Sequence, residues 1–176
     1  MEQLESWQNA QRLRAAEGWL ELGLVEEAWA ELAQLGPELR QGAPGLEIQW
    51  LLFAERGHWD AAFAVAQQTI DLHPSNEAGW IHRSYAARRR PGGGLTLAQE
   101  LLQPAIHECP RSRIVPFNLA CYAAQLGDLT GAWAWLERSA TNSNWRETCI
   151  LGLKDADLKP LWPRLREKQK PQAGPG

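Results

Sequence analysis

The 176-residue sequence predicts an all-α protein made of stacked helical hairpins. Alanine and leucine number 25 each, whereas valine, isoleucine and threonine together number 14. This bias favours helices, because branched side chains pack better on sheets. A motif that recurs about every 34 residues indicates the same class, since arrays of helical hairpins have periods of that length. The hydrophobic share of 44% is enough for a buried core, which excludes a chain disordered throughout.

Each copy of the motif has a glycine followed five residues later by an alanine. The four alanines recur at one interval, apart from a short insertion before the third, and they are Ala28, Ala62, Ala98 and Ala132. We expect the glycine to form the turn of a hairpin and the alanine to lie where the second helix touches its neighbour. A single hairpin cannot bury both faces, so stability should come from interfaces between neighbours.

A helix-turn-helix period of about 34 residues with a late proline, as at Pro74 and Pro110, resembles the tetratricopeptide repeat family. Residues 117–128 resemble a common first helix of that family, and Trp80 stands where its tryptophan belongs. Residues 153–162 resemble a segment that often follows the last repeat in bacterial members. The resemblance covers about residues 9–142 and implies an α-solenoid, a right-handed superhelix of about four hairpins with a C-terminal capping helix.

Period and resemblance together predict one domain over residues 1–166. It contains four repeats, at about residues 9–42, 43–76, 77–112 and 113–146, and a cap at residues 147–166. Residues 167–176 lack apolar anchors, so we expect a disordered tail there.

The second repeat departs from the family pattern. Gln49 and Trp50 replace its Leu-Gly pair, and a tryptophan does not fit where a glycine lets two helices touch. The register of this repeat is therefore left open. Gly36-Pro37 and residues 41–45 predict a longer loop between the first two hairpins.

The sequence contains no constellation of catalytic residues. The glycine run at residues 92–94 is not followed by the lysine of a phosphate-binding loop. Asp155 and Asp157 lack the glycine and distal glutamate of a calcium loop, and we expect a helix N-cap with Asp157 as the acceptor. The histidines and the three cysteines show no metal-ligand spacing. We predict no enzyme activity, no cofactor and no metal.

Charge is divided unevenly along the chain. Residues 1–75 carry 4 Lys/Arg against 12 Asp/Glu, a net charge of −8, whereas residues 76–176 carry 14 against 9, a net of +5. Such a split can orient a charged partner or favour head-to-tail self-association, so homo-oligomerisation is left open. A chain that is acidic overall and lacks a basic stripe does not favour nucleic acid.

The sequence also argues against a membrane partner. Its first residues are neither basic nor apolar, and no run approaches the roughly 18 apolar residues that span a bilayer. We therefore expect a cytoplasmic location.

The strongest basic feature is a set of four arginines near the end of the third repeat's first helix. Two interpretations stay open: the cations offset the negative end of the helix dipole, or they clamp a carboxylate or phosphate. The set is Arg83, Arg88, Arg89 and Arg90.

The resemblance implies that first helices line a concave surface that binds an extended peptide or a partner's helix. In such a groove Asn118 holds a ligand backbone, Arg88 and Arg89 take a carboxylate, and the aliphatic and aromatic members form pockets. Carried onto this chain, the groove positions are Glu47, Ile48, Leu51, Ile81, His82, Tyr85, Arg88, Arg89, Phe117, Asn118, Cys121 and Gln125.

Two other functions remain alternatives. A secretion-type chaperone with tetratricopeptide repeats is of similar size and acidic, and would dimerise and hold an unfolded client. A self-assembling structural protein would use the charge split to join end to end. Light scattering at several salt concentrations distinguishes them, because only charge-driven assembly depends strongly on salt.

Overall fold

The structure is a computed structural model that describes the backbone of residues 2–169 and the side chains of residues 6–169. Within this part of the chain every regular element is a helix, as the composition predicts. The chain divides into two compact units, residues 1–92 and 93–176. A single domain over residues 1–166 therefore stays a prediction.

The first unit is built from two long hairpins and a further helix. Its helices are α1 (Glu2–Glu21), α2 (Val25–Ala33), α3 (Pro37–Gln41), α4 (Ala43–Glu55), α5 (Trp59–Leu72) and α6 (Glu77–Arg89). One hairpin joins α1 to α2, and the other joins α4 to α5, with α6 packed against α5.

The second unit contains one long hairpin and a segment that folds back onto it. Its elements are α7 (Leu95–Leu102), α8 (Ala105–Glu108), α9 (Ile114–Gln125), α10 (Leu129–Thr141), α11 (Trp145–Gly152), the 3₁₀ helix (Ala156–Leu161) and α12 (Trp162–Gln169). Helices α9 and α10 form the hairpin, α7 packs against α9, and the 3₁₀ helix packs back onto α9.

Three hairpin turns have the same geometry because each has a glycine in the left-handed region. Gly23, Gly57 and Gly127 have φ of +73°, +67° and +86°. In each turn the residue after the glycine donates its N–H to a carbonyl five residues earlier, as Leu24 does to Trp19 at 2.8 Å. This pattern satisfies the last carbonyls of the first helix and reverses the chain.

The four alanines of the repeated motif occupy equivalent places. They lie in α2, α5, α7 and α10, and each is 0% exposed. The residues four positions later are also buried, as the helical period requires: Leu32, Ala66, Leu102 and Leu136. The structure confirms that the period marks buried contacts of second helices.

A short helix, rather than a loop, separates the first two hairpins. Helix α3 presses so closely on α4 that a Cβ at Gly45 would collide with the carbonyl groups of Leu39 and Arg40. The Gln49 side chain donates to the Arg40 carbonyl at 2.7 Å. Gln49 therefore anchors α3, which explains a polar residue where the family pattern has leucine.

Trp50 occupies a position at which the other first helices have small residues. The equivalents in α1, α6 and α9 are Ala16, Ser84 and Ala120, all 0% exposed. Trp50 is 7% exposed and stacks on His82 of α6, with ring centroids 3.8 Å apart and planes 6° apart. The register of the second repeat is thus regular, and the large ring fills the space between α4 and α6.

The cap packs on the last hairpin, and its start differs from the sequence prediction. The N-cap of the 3₁₀ helix is Asp155, which accepts the N–H of Asp157 at 2.9 Å, so the prediction of Asp157 as the acceptor is wrong. An N-cap side chain accepts an N–H two or three residues on, and Asp155 is the residue that directly precedes the 3₁₀ helix.

The predicted disordered tail starts too early. Residues 167–169 belong to α12, which Leu165 anchors in the core. Residues 170–176 lie outside the described part of the chain.

Candidate partner-binding face

The first unit has an open face formed by its first helices. Two depressions on this face share Leu51 and Glu55 of α4. One lies between α1 and α4, and the other between α4 and α6. Their volumes are about 660 Å³ and 440 Å³, which lie in the range of ligand sites.

The larger hollow, termed the acidic depression, combines an apolar floor with four exposed glutamates. The structure records no ion pair for these four carboxylates among the described side chains. Its lining residues are Glu17, Leu20, Glu21, Ala43, Pro44, Glu47, Ile48, Leu51 and Glu55.

The smaller hollow, termed the aromatic depression, has ring faces as its main surface. The Trp50 ring meets the Tyr85 ring edge-on at 5.8 Å, and the Arg89 guanidinium lies 3.3 Å from the centroid of Tyr85. This cation–π contact holds Arg89 at the edge of the hollow. The lining residues are Trp50, Leu51, Ala54, Glu55, Trp59, Ile81, His82 and Tyr85.

His82 is held neutral in this hollow. Burial lowers its pKa to about 4, because the charged imidazolium loses solvent beneath Trp50. The stacked pair therefore carries no charge at neutral pH.

Arg83 and Arg90 are held by partners that remove them from a ligand clamp. Arg83 is buried over the Trp80 ring and donates to Gln67 at 2.7 Å, and burial lowers its pKa. Arg90 pairs with Asp60 at 2.8 Å. Arg88 and Arg89 are half-buried at the end of α6, and their binding role stays a prediction.

Two predicted groove residues in the second unit are not accessible. Phe117 is 8% exposed and Cys121 is 4% exposed, and both belong to a core that includes Leu158 and Leu161. The Cys121 thiol also lies 3.5 Å from the Asp155 carboxylate. The prediction that these two residues line an open groove is wrong, because the 3₁₀ helix covers that side of α9.

The other two groove residues of α9 are half-buried. Asn118 donates its side-chain N–H to the Ile114 carbonyl of its own helix at 3.1 Å, so one donor is already used. Gln125 lies at the last turn of α9. A role for either in partner binding stays a prediction.

The structure brings six predicted residues together on the first unit's face. The acidic depression holds Glu47, Ile48 and Leu51, and the aromatic depression holds Leu51, Ile81, His82 and Tyr85. Ile48 is only 1% exposed and packs in the core of the first unit, so the prediction that it forms an open pocket is wrong, as for Phe117 and Cys121.

The sequence prediction missed the contribution of α1. Glu17, Leu51 and Tyr85 follow one another at the repeat interval. Glu21, Glu55 and Arg89 form a second series at the same interval. The interval, applied one repeat earlier, would have identified Glu17 and Glu21 as lining residues.

The described residues were also compared with what a metal site and a membrane-spanning helix require. No group of three or more His, Cys, Asp or Glu side chains in this part of the chain could hold a metal ion. Among the helices of residues 2–169, none is both long and apolar enough to span a bilayer.

Comparison with known proteins identifies the fold. The chain resembles the crystal structure of a thermophilic TPR protein from Thermus thermophilus, where TPR denotes the tetratricopeptide repeat. The TM-score is 0.64 at 18% sequence identity, and the match covers 92% of this chain and 96% of the other. Neither the protein-family models nor the curated proteins match this chain. The tetratricopeptide-repeat fold predicted from the repeat period is therefore confirmed.

Proposed function

We propose, from the premise of this fold, that the chain is a non-enzymatic protein-interaction module that binds a peptide or partner helix on the first unit's open face. Repeat arrays of this kind use extended surfaces for binding. No cofactor enters the proposal, and the cytoplasmic location and bacterial source stay predictions.

The observation that carries the proposal is the pair of connected depressions. Leu51 is 38% exposed at the junction of the two, with Tyr85, also 38% exposed, beyond it. Exposed apolar side chains that line a hollow favour a partner, because covering them removes apolar surface from water.

The chaperone and self-assembly alternatives predict different surfaces and oligomers. A chaperone of this type would dimerise and bind unrelated apolar segments, and self-assembly would weaken as salt rises. The proposed module would instead stay monomeric at all salt concentrations. Light scattering of the full chain at several salt concentrations makes this comparison.

Peptide selection tests the proposal directly. Random peptides of about 16 residues, long enough for several helical turns, would be displayed on phage and selected against the full chain. The enriched peptides would then be measured by fluorescence anisotropy. Leu51→Asn should weaken their binding at least about tenfold, since most of a leucine's burial energy is lost.

Leu72→Asn is the matched control, because Leu72 is 52% exposed at the end of α5 and lines neither depression. Its binding should match that of the wild type. Peptides that bind Leu51→Asn as tightly as the wild type would contradict the proposed face.

A further inference from the structure

We propose that the acidic depression binds an amphipathic helix of a partner protein whose apolar stripe is flanked by lysine or arginine on both sides. The inference rests on the proposed function and adds the chemistry of the partner. Its basis is the arrangement of carboxylates around the apolar floor and the lack of recorded ion pairs to balance them among the described side chains.

The carboxylates stand on both sides of the floor. Glu17 and Glu21 come from the last turns of α1, whereas Glu47 and Glu55 come from α4 with Leu51 midway between them. All four are exposed. Their charges are therefore hydrated in the free protein and available to a cationic ligand.

Two of the four arginines in residues 1–75 pair with glutamates outside the depression. Arg12 of α1 pairs with Glu31 at 3.2 Å, and Arg56, just after α4, pairs with Glu26. Both pairs neutralise glutamates of α2 rather than those of the depression. Because residues 1–75 have a net charge of −8, a cationic partner is attracted and an anionic one repelled.

A helix suits this arrangement better than an extended peptide. On a helix an apolar stripe has polar residues on both flanks, so cations would reach Glu17 and Glu21 on one side and Glu47 and Glu55 on the other. On an extended chain alternate side chains point to opposite faces, so apolar and basic residues could not all face the hollow.

The charges beside the aromatic depression indicate which part of a bound partner helix should carry its cations. The position held by Glu21 in α1 and by Glu55 in α4 is held by Arg89 in α6. A partner helix that crosses the face should therefore concentrate its cations near α1 and α4 and present an apolar residue to Trp50 and Tyr85.

Three matched synthetic peptides test the inference on the full chain. Each has about 14 residues, near the shortest length for a helix in water, with leucine at helical spacing. The flanking positions are all lysine, all glutamate or all glutamine. Anisotropy at about 50 mM NaCl should show the lysine peptide binding at least about tenfold tighter than the glutamate peptide. Most of that preference should disappear at about 500 mM, where the screening length is much shorter.

Variants that remove negative charge test whether the carboxylates of the depression cause the preference for the lysine peptide. Glu47→Gln with Glu55→Gln should weaken the lysine peptide about tenfold. The control double variant, Glu27→Gln with Glu38→Gln, removes the same charge from exposed positions in α2 and α3 and should change binding less than about twofold.

The outcomes separate this inference from the proposed function. Equal binding of the lysine and glutamate peptides, no binding of the lysine peptide, or equal effects of the two double variants would overturn the inference. If Leu51→Asn still weakens the peptides that bind, the proposed face stands. If Leu51→Asn weakens none of them, the proposed function fails as well.

A second copy of the chain is the other candidate partner, because its residues 76–176 have a net positive charge. Sedimentation velocity of the full chain tests this alternative. A dimer at low salt that dissociates in the Glu47→Gln, Glu55→Gln variant would assign the face to self-association and overturn the inference. A monomer in both proteins supports it.

Discussion

The two units treat the same repeat positions in different ways. In the first unit the outward positions of α1, α4 and α6 form a hollow face with Leu51 and Tyr85 exposed. In the second unit the equivalent positions of α9 hold Phe117 and Cys121, which are buried under the 3₁₀ helix. A repeat position therefore determines which way a side chain points, whereas the next segment of the chain determines whether it meets solvent.

The difference also shows in how each unit uses its large rings. In the first unit Trp50 stacks on His82 at the bottom of the aromatic depression. In the second unit Trp133 stacks on Trp145 at 5.2 Å and lies beneath the Arg164 guanidinium. Both rings are buried, Trp50 at 7% and Trp133 at 6% exposure, but Trp50 also lines the aromatic depression, whereas the last part of the chain packs on Trp133.

The largest loss of stability is predicted for removal of the Trp50 ring, which fills the space between α4 and α6. Trp50→Ala should lower the free energy of unfolding by about 3–5 kcal/mol, because it leaves a cavity beside His82. Urea unfolding followed by circular dichroism measures this change. Trp7→Ala, at a ring that is 61% exposed, should change stability by less than about 0.5 kcal/mol. Equal effects of the two would show that Trp50 does not hold the first unit's face together.

A smaller loss is expected when the cap is weakened. Leu158→Ala should cost about 2–4 kcal/mol and speed the reaction of Cys121 with a thiol reagent, because Leu158 is fully buried beside that residue. Leu151→Ala, at a leucine that is 37% exposed, is the control. Unchanged thiol reactivity in Leu158→Ala would mean that the cap does not close the face of α9.

Acid should destabilise the first unit through His82. The pKa is about 4 in the folded protein against an ordinary value of 6.5, so the unfolded chain binds the proton more readily between these values. The stabilisation by neutral His82 is complete above pH 6.5 and is lost as pH falls toward 4. Between pH 7 and pH 5 the wild type should lose about 1–2 kcal/mol more than His82→Gln in urea unfolding. Parallel pH profiles would contradict the buried stack.

The smallest effect concerns the start of the cap. Asp155→Ala should cost about 1 kcal/mol, because the N–H of Asp157 loses its acceptor. Asp155→Asn keeps an oxygen in place and should cost clearly less. Thermal unfolding of the two variants measures the difference, and identical melting temperatures would argue against the cap assigned to Asp155.

The hairpins were predictable from the sequence because their signals are local or periodic. A glycine with positive φ and an alanine five residues later act within one hairpin, so Gly57 and Ala62 reveal both the turn and the buried contact. The resemblance to the repeat family predicted Glu47, Ile48 and Leu51 as neighbours on one face, and all three line the acidic depression.

The features that the sequence did not predict depend on contacts between segments that are distant along the chain. The stack of Trp50 on His82 joins two different repeats, and no local pattern requires it. The cover over Cys121 comes from the 3₁₀ helix, which begins only at Ala156. The sequence indicates a cap but not which side of α9 the cap covers. The burial of Phe117 and Cys121 therefore could not be predicted.

The most direct test of the contrast between the units is a backbone amide NMR titration of the full chain with the lysine peptide. Shift changes should concentrate in α1, α4 and α6, around Glu17, Leu51 and Tyr85, and leave α9 unchanged. Changes centred on α9, around Phe117 and Asn118, would contradict the assignment of recognition to the open face of the first unit.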